Sequence, residues 1–231
     1  MKIDAYSYVF CGLNSEACYA ASVTGFSTWA VGYGKKTGSA KILMNALERA
    51  DGSGLLSDSQ IFDIYDHYHP VFQQMQAYVS AAGYFSDSKN FHLFNIGNAR
   101  ALVFDNGSMV MHTEDHSLAY KSYKEKGYNR NADYDRIRIQ EDRLELWKVL
   151  GYGNDGKPQF YQLVPMKKNL SLLVCTETFW RYISVIEMEL DYRKSAGPEE
   201  WVKIMSRRVL MKSNRELDND NFSVSAVMVE E

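Results

Sequence analysis

NIGNARALVFDNGSMVMHTEDHSL (residues 95–118) contains the signals that decide the fold. Asn106-Gly107 stands between the apolar runs ALVF and MVM, and Asn-Gly between such runs is the strongest short signal for a β-hairpin. The preceding run FHLF leads into Gly97-Asn98, which predicts a strand followed by a tight turn. The stretch therefore predicts consecutive antiparallel strands, and we expect a functional role for the corner that Asn98 occupies.

Outward from this stretch, the chain combines many strands with pairs of helices. Alternating residues predict further strands at 2–10, within 17–34 on both sides of Gly25, and at 74–85, 159–166, 170–176 and 221–230. Apolar residues at helical spacing predict helices at 38–50, 57–69, 116–127, 179–190 and 198–212. Pro70 ends the second of these helices in this interpretation, because proline removes a backbone donor and disfavours helix in the preceding residue. Residues 127–158 are expected to be irregular apart from LELWKVLG. This pattern is typical of an α+β layered domain.

Composition bounds the class of protein. A chain of 231 residues can bury a substantial core as one large domain or two small ones. The net charge of -3 gives no reason to expect nucleic acid or an acidic membrane as a partner. No apolar run approaches the roughly 18 residues that span a bilayer, and Asp4 interrupts the apolar region that a signal peptide needs.

The cysteines Cys11, Cys18 and Cys175 are odd in number and widely spaced. This pattern favours free thiols in a reducing compartment over a disulfide framework or a zinc site, so we expect a cytoplasmic protein. Cys11 could be a nucleophile, but no neighbouring base can be named from the sequence. A small buried thiol is the simpler interpretation.

Five segments in a fixed order carry a resemblance to a known family. They are LNSEACYAAS (13–22), WAVGYGKKTGSAKI (29–42), the opening stretch 95–118, LSLLVCTETFWRYIS (170–184) and DNDNFSVSAVMVE (218–230). They resemble the motifs N-E-D-x-x-Y, V-A-D-G-M-G-G, N-V-G-D-S-R-A with L-T-x-D-H-S, L-L-L-C-S-D-G-L-W-D-x-V-S and D-N-x-T-V-x-V-V of the metal-dependent protein phosphatases (PPM type, also called type 2C). The resemblance implies one domain over 1–231 with a four-layer αββα architecture, a central antiparallel β-sandwich flanked by a helix pair on each side.

The family's chemistry, by resemblance, is hydrolysis of phosphoserine and phosphothreonine by two Mg or Mn ions that aspartates hold. Such metals lower the pKa of a bridging water and bind the phosphoryl oxygens. In this sequence, the residues at several of the family's ligand positions cannot bind a metal ion or a phosphate. The bridging Asp falls on Val31 before Gly32, the acidic pair on Ser15 and Glu16, the Asp of S-D-G on Glu177, the closing Asp on Asp220, the further-metal Asp on Asn98 and the phosphate-binding Arg on Cys11.

A normal two-metal site is therefore not expected. Valine offers no lone pair, and two dications about 4 Å apart repel by about 16 kcal/mol at an effective dielectric of 20, which a bridging carboxylate would partly offset. The residual metal set is Glu16, Gly32, Glu177 and Asp220, so the cofactor is expected to be none or weakly bound Mg or Mn, and no catalytic residue is assigned. Asp220 as a turn acceptor is an equal alternative.

Three functions remain open from the sequence. The first is a pseudophosphatase that acts as a binding or regulatory module, and the second is a divergent, active metal-dependent serine/threonine phosphatase. The third is a scaffold with no phosphate-related role, since fold alone does not decide function. By resemblance, the expected partner is a phosphoprotein or a protein of a Ser/Thr kinase pathway. Arg100 and His116 are interpreted as structural residues of the corner.

Overall fold

The computed structural model describes residues 2–12, 18–36, 38–54, 56–126, 130–218 and 220–230, with the backbone alone for 130–133. Two antiparallel sheets pack face to face. The first sheet has the strand order β1-β11-β10-β6-β7 and the second β2-β3-β4-β5-β8, with β9 pairing to β5. The strands are β1 (Ile3–Phe10), β2 (Ala20–Thr24), β3 (Thr28–Gly34), β4 (Val79–Ser86), β5 (Asn90–Ile96), β6 (Arg100–Asp105), β7 (Ser108–His112), β8 (Gln159–Phe160), β9 (Val164–Pro165), β10 (Leu170–Cys175) and β11 (Phe222–Val229).

The hairpin predicted at Asn106-Gly107 is confirmed. It joins β6 to β7, and both turn residues have positive φ, 50° at Asn106 and 77° at Gly107. Asparagine and glycine accept this conformation at low cost, which is why the pair specifies the turn.

Helices cover the outer face of each sheet. The helices are α1 (Ser39–Gly52), α2 (Asp58–Gln74), α3 (Leu118–Glu125), α4 (Arg130–Ile137), α5 (Glu177–Arg181), α6 (Val185–Tyr192) and α7 (Pro198–Arg215). Apolar residues of α1 and α2 form one core with the second sheet, and those of α6 and α7 form another with the first sheet. A third core fills the space between the sheets. The expected α+β, four-layer αββα arrangement is therefore confirmed.

The helix expected to end at His69 does not end there. Helix α2 continues through Pro70 to Gln74, and β4 begins only at Val79, so the strand expected at 74–85 is wrong in its first part. Pro70 is exposed, whereas Tyr65 and Phe72 are fully buried. Packing of this apolar side against the sheet stabilises the helix by more than the lost hydrogen bond costs.

Other differences are smaller. The helix expected at 179–190 is two helices, because Ser184 caps a new helix through a capping box with Glu187. The region 127–158, expected to be mostly irregular, contains α4 and a 3-10 turn at Glu141–Leu144. The strand expected at 159–166 is the separate short strands β8 and β9.

The expectation of three free thiols is wrong. Cys11 and Cys18 form a disulfide, with their Cα atoms 4.7 Å apart. They meet because Cys11 follows β1 and Cys18 precedes β2, and these two strands lie beside each other in the two sheets. Cys175 is free and fully buried, and burial raises the pKa of its thiol, as an inert core cysteine requires. Within the part of the chain described, no helix is long and apolar enough to cross a membrane.

Candidate functional site

A cleft of about 240 Å³ opens at one end of the sandwich, where the two sheets separate. Residues from β3 and β4 of the second sheet, from the start of α5 and from connecting segments line it: Tyr33, Tyr78, Ser80, Asn98, Leu144, Leu146, Glu177, Thr178 and Asp220. Three predicted positions, those of Asn98, Glu177 and Asp220, thus come together although they are far apart in the sequence. Glu16 lies outside the described residues.

The corner at Gly97-Asn98 forms one wall of the cleft. Gly97 has φ 78°, its N–H donates to His116 Nδ1 at 3.0 Å, and its carbonyl accepts from the His116 N–H at 2.8 Å. Any side chain at Gly97 would collide with Ser80, because an added Cβ would lie 2.1 Å from the Ser80 Oγ. The turn is therefore fixed by backbone geometry and by His116, in accord with the structural role expected for that histidine.

Asn98 has bonds of its own at this corner. Its side-chain Nδ2 donates to the main-chain carbonyl of Arg143 at 3.3 Å, and its main-chain carbonyl accepts from Trp180 Nε1 at 2.8 Å. An ionised aspartate has no N–H or O–H to donate to this carbonyl, whereas the asparagine amide does. At the position where the resemblance implies a negatively charged carboxylate, this chain has a neutral amide that donates a hydrogen bond.

Behind the corner, a fully buried ion pair supports the wall. Arg100 Nε and Nη2 donate to the two carboxylate oxygens of Asp115 at 2.8 and 2.6 Å, and both side chains are 0% exposed. The Arg100 guanidinium lies 3.6 Å from the centre of the Trp180 ring and 4.4 Å from that of Tyr134. Asp115 and the two aromatic faces stabilise this buried cation, although its Nη1 has no hydrogen-bond partner among the described residues. These contacts agree with the structural role expected for Arg100.

Glu177 is the first residue of α5 and points into the cleft. Its Oε1 accepts from Arg143 Nε at 2.7 Å, and Arg181 Nε is 3.8 Å away. Arg143 is itself held, because its Nη1 donates to the Gln140 carbonyl at 2.6 Å. Burial raises the pKa of Glu177, and Arg181 and Arg143 act in the opposite direction. The carboxylate is thus bound to cations of the protein itself, and no pattern in the sequence predicts this pairing.

Asp220 precedes β11 and lies beside Thr178, the residue that follows Glu177. Its Oδ1 accepts from the Tyr33 hydroxyl at 3.0 Å and from the Asn221 N–H at 2.7 Å, and its Oδ2 accepts from the Thr178 hydroxyl at 3.1 Å. Burial and then the Asp220 carboxylate raise the pKa of Tyr33, so this phenol stays a donor. Each carboxylate oxygen of Asp220 therefore already accepts at least one hydrogen bond within the protein.

Val31 does not take the bridging position that the resemblance implied for it. It is 0% exposed, pairs across β2 and β4 with Ser22 and Ala82, and packs in the core between the sheets. Side chains two residues apart share a face of a strand, so Tyr33 continues that face to the point where the sheets part. The β3 side chain that reaches the cleft is Tyr33, to which the resemblance assigned no ligand position.

Gly32 lies on the other face of β3, towards α1. A Cβ at this position would be 3.2 Å from Met44 Cε and 3.5 Å from Ala40 Cβ, so its role in the structure is close packing of the helix. Its carbonyl accepts from the Ser223 hydroxyl at 3.4 Å.

Two divalent cations do not fit the groups present in the described part of the cleft. Mg²⁺ and Mn²⁺ take several oxygen ligands each, whereas the described lining offers two carboxylates, each already bonded, with guanidinium groups beside one of them. Among the described residues no three acidic, histidine or cysteine side chains form a cluster that could hold a metal. Cys11, at the position of the phosphate-binding arginine, is bonded to Cys18 and is neither cation nor free thiol.

Comparison with solved structures identifies the fold. The serine/threonine phosphatase Stp1 from Staphylococcus aureus superposes with a TM-score of 0.83 at 14% identity over 100% of this chain and 96% of that one. The PPM Ser-Thr phosphatase MsPP from Mycobacterium smegmatis, in complex with cacodylate, gives 0.78 at 17% identity and 98% of both chains. The catalytic domain of the serine threonine protein phosphatase PstP, in complex with two manganese ions, gives 0.79 at 13% identity and 99% of both chains.

The chain therefore has the fold of the PPM-type serine/threonine phosphatases, as the sequence resemblance implied. No protein-family model matches the sequence, and no curated protein matches it. At these identities the likeness concerns the fold, so the function has to be argued from the cleft.

Proposed function

We propose that this chain is a pseudophosphatase, a PPM-fold domain without a working two-metal centre that acts as a binding or regulatory module. One observation carries the proposal. Among the described residues that line the cleft there are two carboxylates, and both are bound by groups of the protein itself, Glu177 by Arg143 and Asp220 by Tyr33 and Thr178.

The Arg143 guanidinium opposes a metal at Glu177 in two ways. A divalent cation about 4 Å from a guanidinium is repelled by about 8 kcal/mol at an effective dielectric of 20. If the metal displaced Arg143 instead, a guanidinium that is 12% exposed would lose its carboxylate partner. Losing one partner of a largely buried pair costs more than the pair itself contributes. Arg143 thus supplies the positive charge that Glu177 requires.

The partner proposed is a phosphoprotein or a protein of a Ser/Thr kinase pathway. This rests on the fold neighbours, which are serine/threonine phosphatases by description. The expected cytoplasmic location stays a prediction, and the Cys11–Cys18 disulfide removes the thiol argument on which it rested.

The second candidate is a divergent phosphatase that uses one metal or a rearranged pair. It is favoured by the placement of Glu177 and Asp220 in one cleft, where a third acid, Glu16, is expected from the sequence. In this reading Mg or Mn would bind weakly and would have to compete with Arg143.

Hydrolysis of a phosphoserine peptide in Mn²⁺ separates the two candidates. The pseudophosphatase predicts no turnover above that of Asp220→Ala. Mn²⁺-dependent turnover that Asp220→Ala abolishes would overturn the proposal and establish the second candidate.

Titration calorimetry with Mn²⁺ tests the physical reason separately. We expect no binding by the wild type and a gain of binding in Arg143→Gln, which removes the nearer of the two guanidinium groups beside Glu177 and leaves Arg181 at 3.8 Å. Arg207→Gln on α7 is the matched control, since it removes the same charge from a position outside the cleft. Tight binding of Mn²⁺ by the wild type would contradict the occupation of Glu177 by Arg143.

A further inference from the structure

A second concavity of about 470 Å³ lies beside the cleft. Arg143 lines this concavity and bonds to Glu177, which lines the cleft. We call it the basic groove. Its charged lining residues are Arg138, Arg143, Arg181, Lys212, Arg215 and Glu216. A ligand in the groove would therefore face five cationic side chains and one carboxylate within the described part of the chain.

Three carboxylates that pair with these cations do not line the groove. Arg181 pairs with Asp218, Lys212 with Glu187 at 2.7 Å and Arg143 with Glu177, and none of these three acids is among the described residues that line the groove. Such partners fix the direction of a long cationic side chain and leave its other N–H groups for a ligand.

Several donors in the groove are unused. Arg143 donates from Nε to the Glu177 carboxylate and from Nη1 to the Gln140 carbonyl, and its Nη2 has no bond to a described residue. Arg215, in the last turn of α7, has no hydrogen bond or ion pair with any residue that the structure describes. A guanidinium presents its donors in a planar fork that matches two oxygens of one phosphate.

From this geometry we infer that the basic groove binds the phosphate of a phosphorylated serine or threonine side chain within a peptide. The inference rests on the proposed function, because a chain that cannot hydrolyse the phosphate can keep it bound. Clusters of arginine are the general means by which proteins recognise phosphorylated side chains.

Apolar neighbours favour a peptide over a free phosphate ion. Ile139 lines the groove and is 70% exposed, and Leu144 lines the adjoining cleft and is 55% exposed. Both lie on the segment that carries Arg138 and Arg143, so residues flanking a bound phosphoserine would cover them. Exposed apolar side chains next to arginine are characteristic of interaction surfaces.

Fluorescence anisotropy with a labelled phosphoserine peptide and its unphosphorylated counterpart, in EDTA, tests the inference. We expect the phosphorylated peptide alone to bind the wild type and inorganic phosphate to compete weakly. Arg215→Gln should weaken binding about tenfold, the effect of losing one hydrogen bond to a charged group. Arg207→Gln, on the same helix but outside the groove, removes equal charge and should leave affinity unchanged.

Glu216→Gln gives a test that misfolding cannot imitate. It removes the one carboxylate among the described groove residues, so binding of the phosphopeptide should tighten. Equal weakening by Arg215→Gln and Arg207→Gln, no preference for the phosphorylated peptide, or no gain in Glu216→Gln would each overturn the inference. Hydrolysis of the same peptide in Mn²⁺ would instead overturn the proposed function, while the measurements in EDTA still decide on the groove.

Discussion

Replacing Val31 by aspartate gives the sharpest test of how β3 is placed in the sandwich. If Val31 faced the cleft, the new carboxylate would restore a metal ligand and raise the affinity for Mn²⁺. The structure instead buries Val31 completely between Ser22 and Ala82 and among the apolar residues between the sheets. We expect Val31→Asp to destabilise the fold and to bind no metal.

The cost has two parts. Losing the buried valine side chain costs about 1.5–3 kcal/mol. In the apolar core the carboxylate stays protonated, so its native pKa rises above 7 while the unfolded chain keeps about 3.9. Because the folded state then binds the extra proton, stability falls as pH rises from about 4, and the loss reaches about 4 kcal/mol near pH 7. The total is about 6 kcal/mol near pH 7 and about 2 kcal/mol near pH 4.

Urea unfolding at several pH values measures this difference against the wild type. Val31→Asn is the matched control, since it has the same shape as aspartate but does not titrate. Its loss of stability should not depend on pH. The reasoning is refuted if Val31→Asp shows the same loss at all pH values, or if Mn²⁺ stabilises it.

Three further predictions concern the corner, the disulfide and the cleft. Asp115→Ala leaves the buried Arg100 guanidinium unpaired, so urea unfolding should show a loss of about 3–5 kcal/mol; a loss below about 1 kcal/mol is what a solvated pair would give. Serine at both Cys11 and Cys18 removes a cross-link between residues seven apart and should cost about 2 kcal/mol; an unfolding midpoint of the wild type that does not respond to reductant would contradict this. Tyr33→Asp adds a carboxylate to the cleft, and tenfold excess of Mn²⁺ over its Kd should raise its melting temperature by about 3–5 °C. No such shift is expected in the wild type, and its absence in Tyr33→Asp would show that Arg143 still excludes the metal.

Local chemistry made part of the fold predictable. Asn106-Gly107 determines a hairpin because few residues accept positive φ at both turn positions, and this signal does not depend on the rest of the chain. Pro198 is a second local signal, because the first residue of a helix does not need its N–H for an intrahelical hydrogen bond, and α7 begins there. Such features depend only on a few neighbouring residues, so they can be predicted from the sequence.

Tertiary contacts decided the features that the sequence did not show. Pro70 signals the end of a helix locally, yet the burial of Tyr65 and Phe72 on the sheet keeps α2 continuous. The Cys11–Cys18 pair depends on two strands from different sheets lying side by side, which the spacing of the cysteines does not reveal.

The candidate site was predictable in its location but not in its contents. The motif order assigned Asn98, Glu177 and Asp220 to one site, and the strand order brings their segments to one cleft. Arg143 lies in a polar segment without periodicity, and only the folded chain places it 2.7 Å from Glu177. For Tyr33 a signal did exist, since strand alternation gives it the face of Val31, one step nearer the end of β3.

The residues behind the Gly97-Asn98 corner hold the wall of the cleft in place. Gly97, Arg100, Asp115 and His116 are held by backbone bonds and by a buried ion pair, none of which requires a metal. Changes at these positions would leave buried polar groups unpaired, at a cost of several kcal/mol for the ion pair. A change from aspartate to asparagine at Asn98 has no such cost, because the amide donates to the Arg143 carbonyl where a carboxylate would have been left without a cation. Stability therefore depends on the residues behind the corner, whereas Asn98, Glu177 and Asp220, which face the cleft, bond to other groups of the protein.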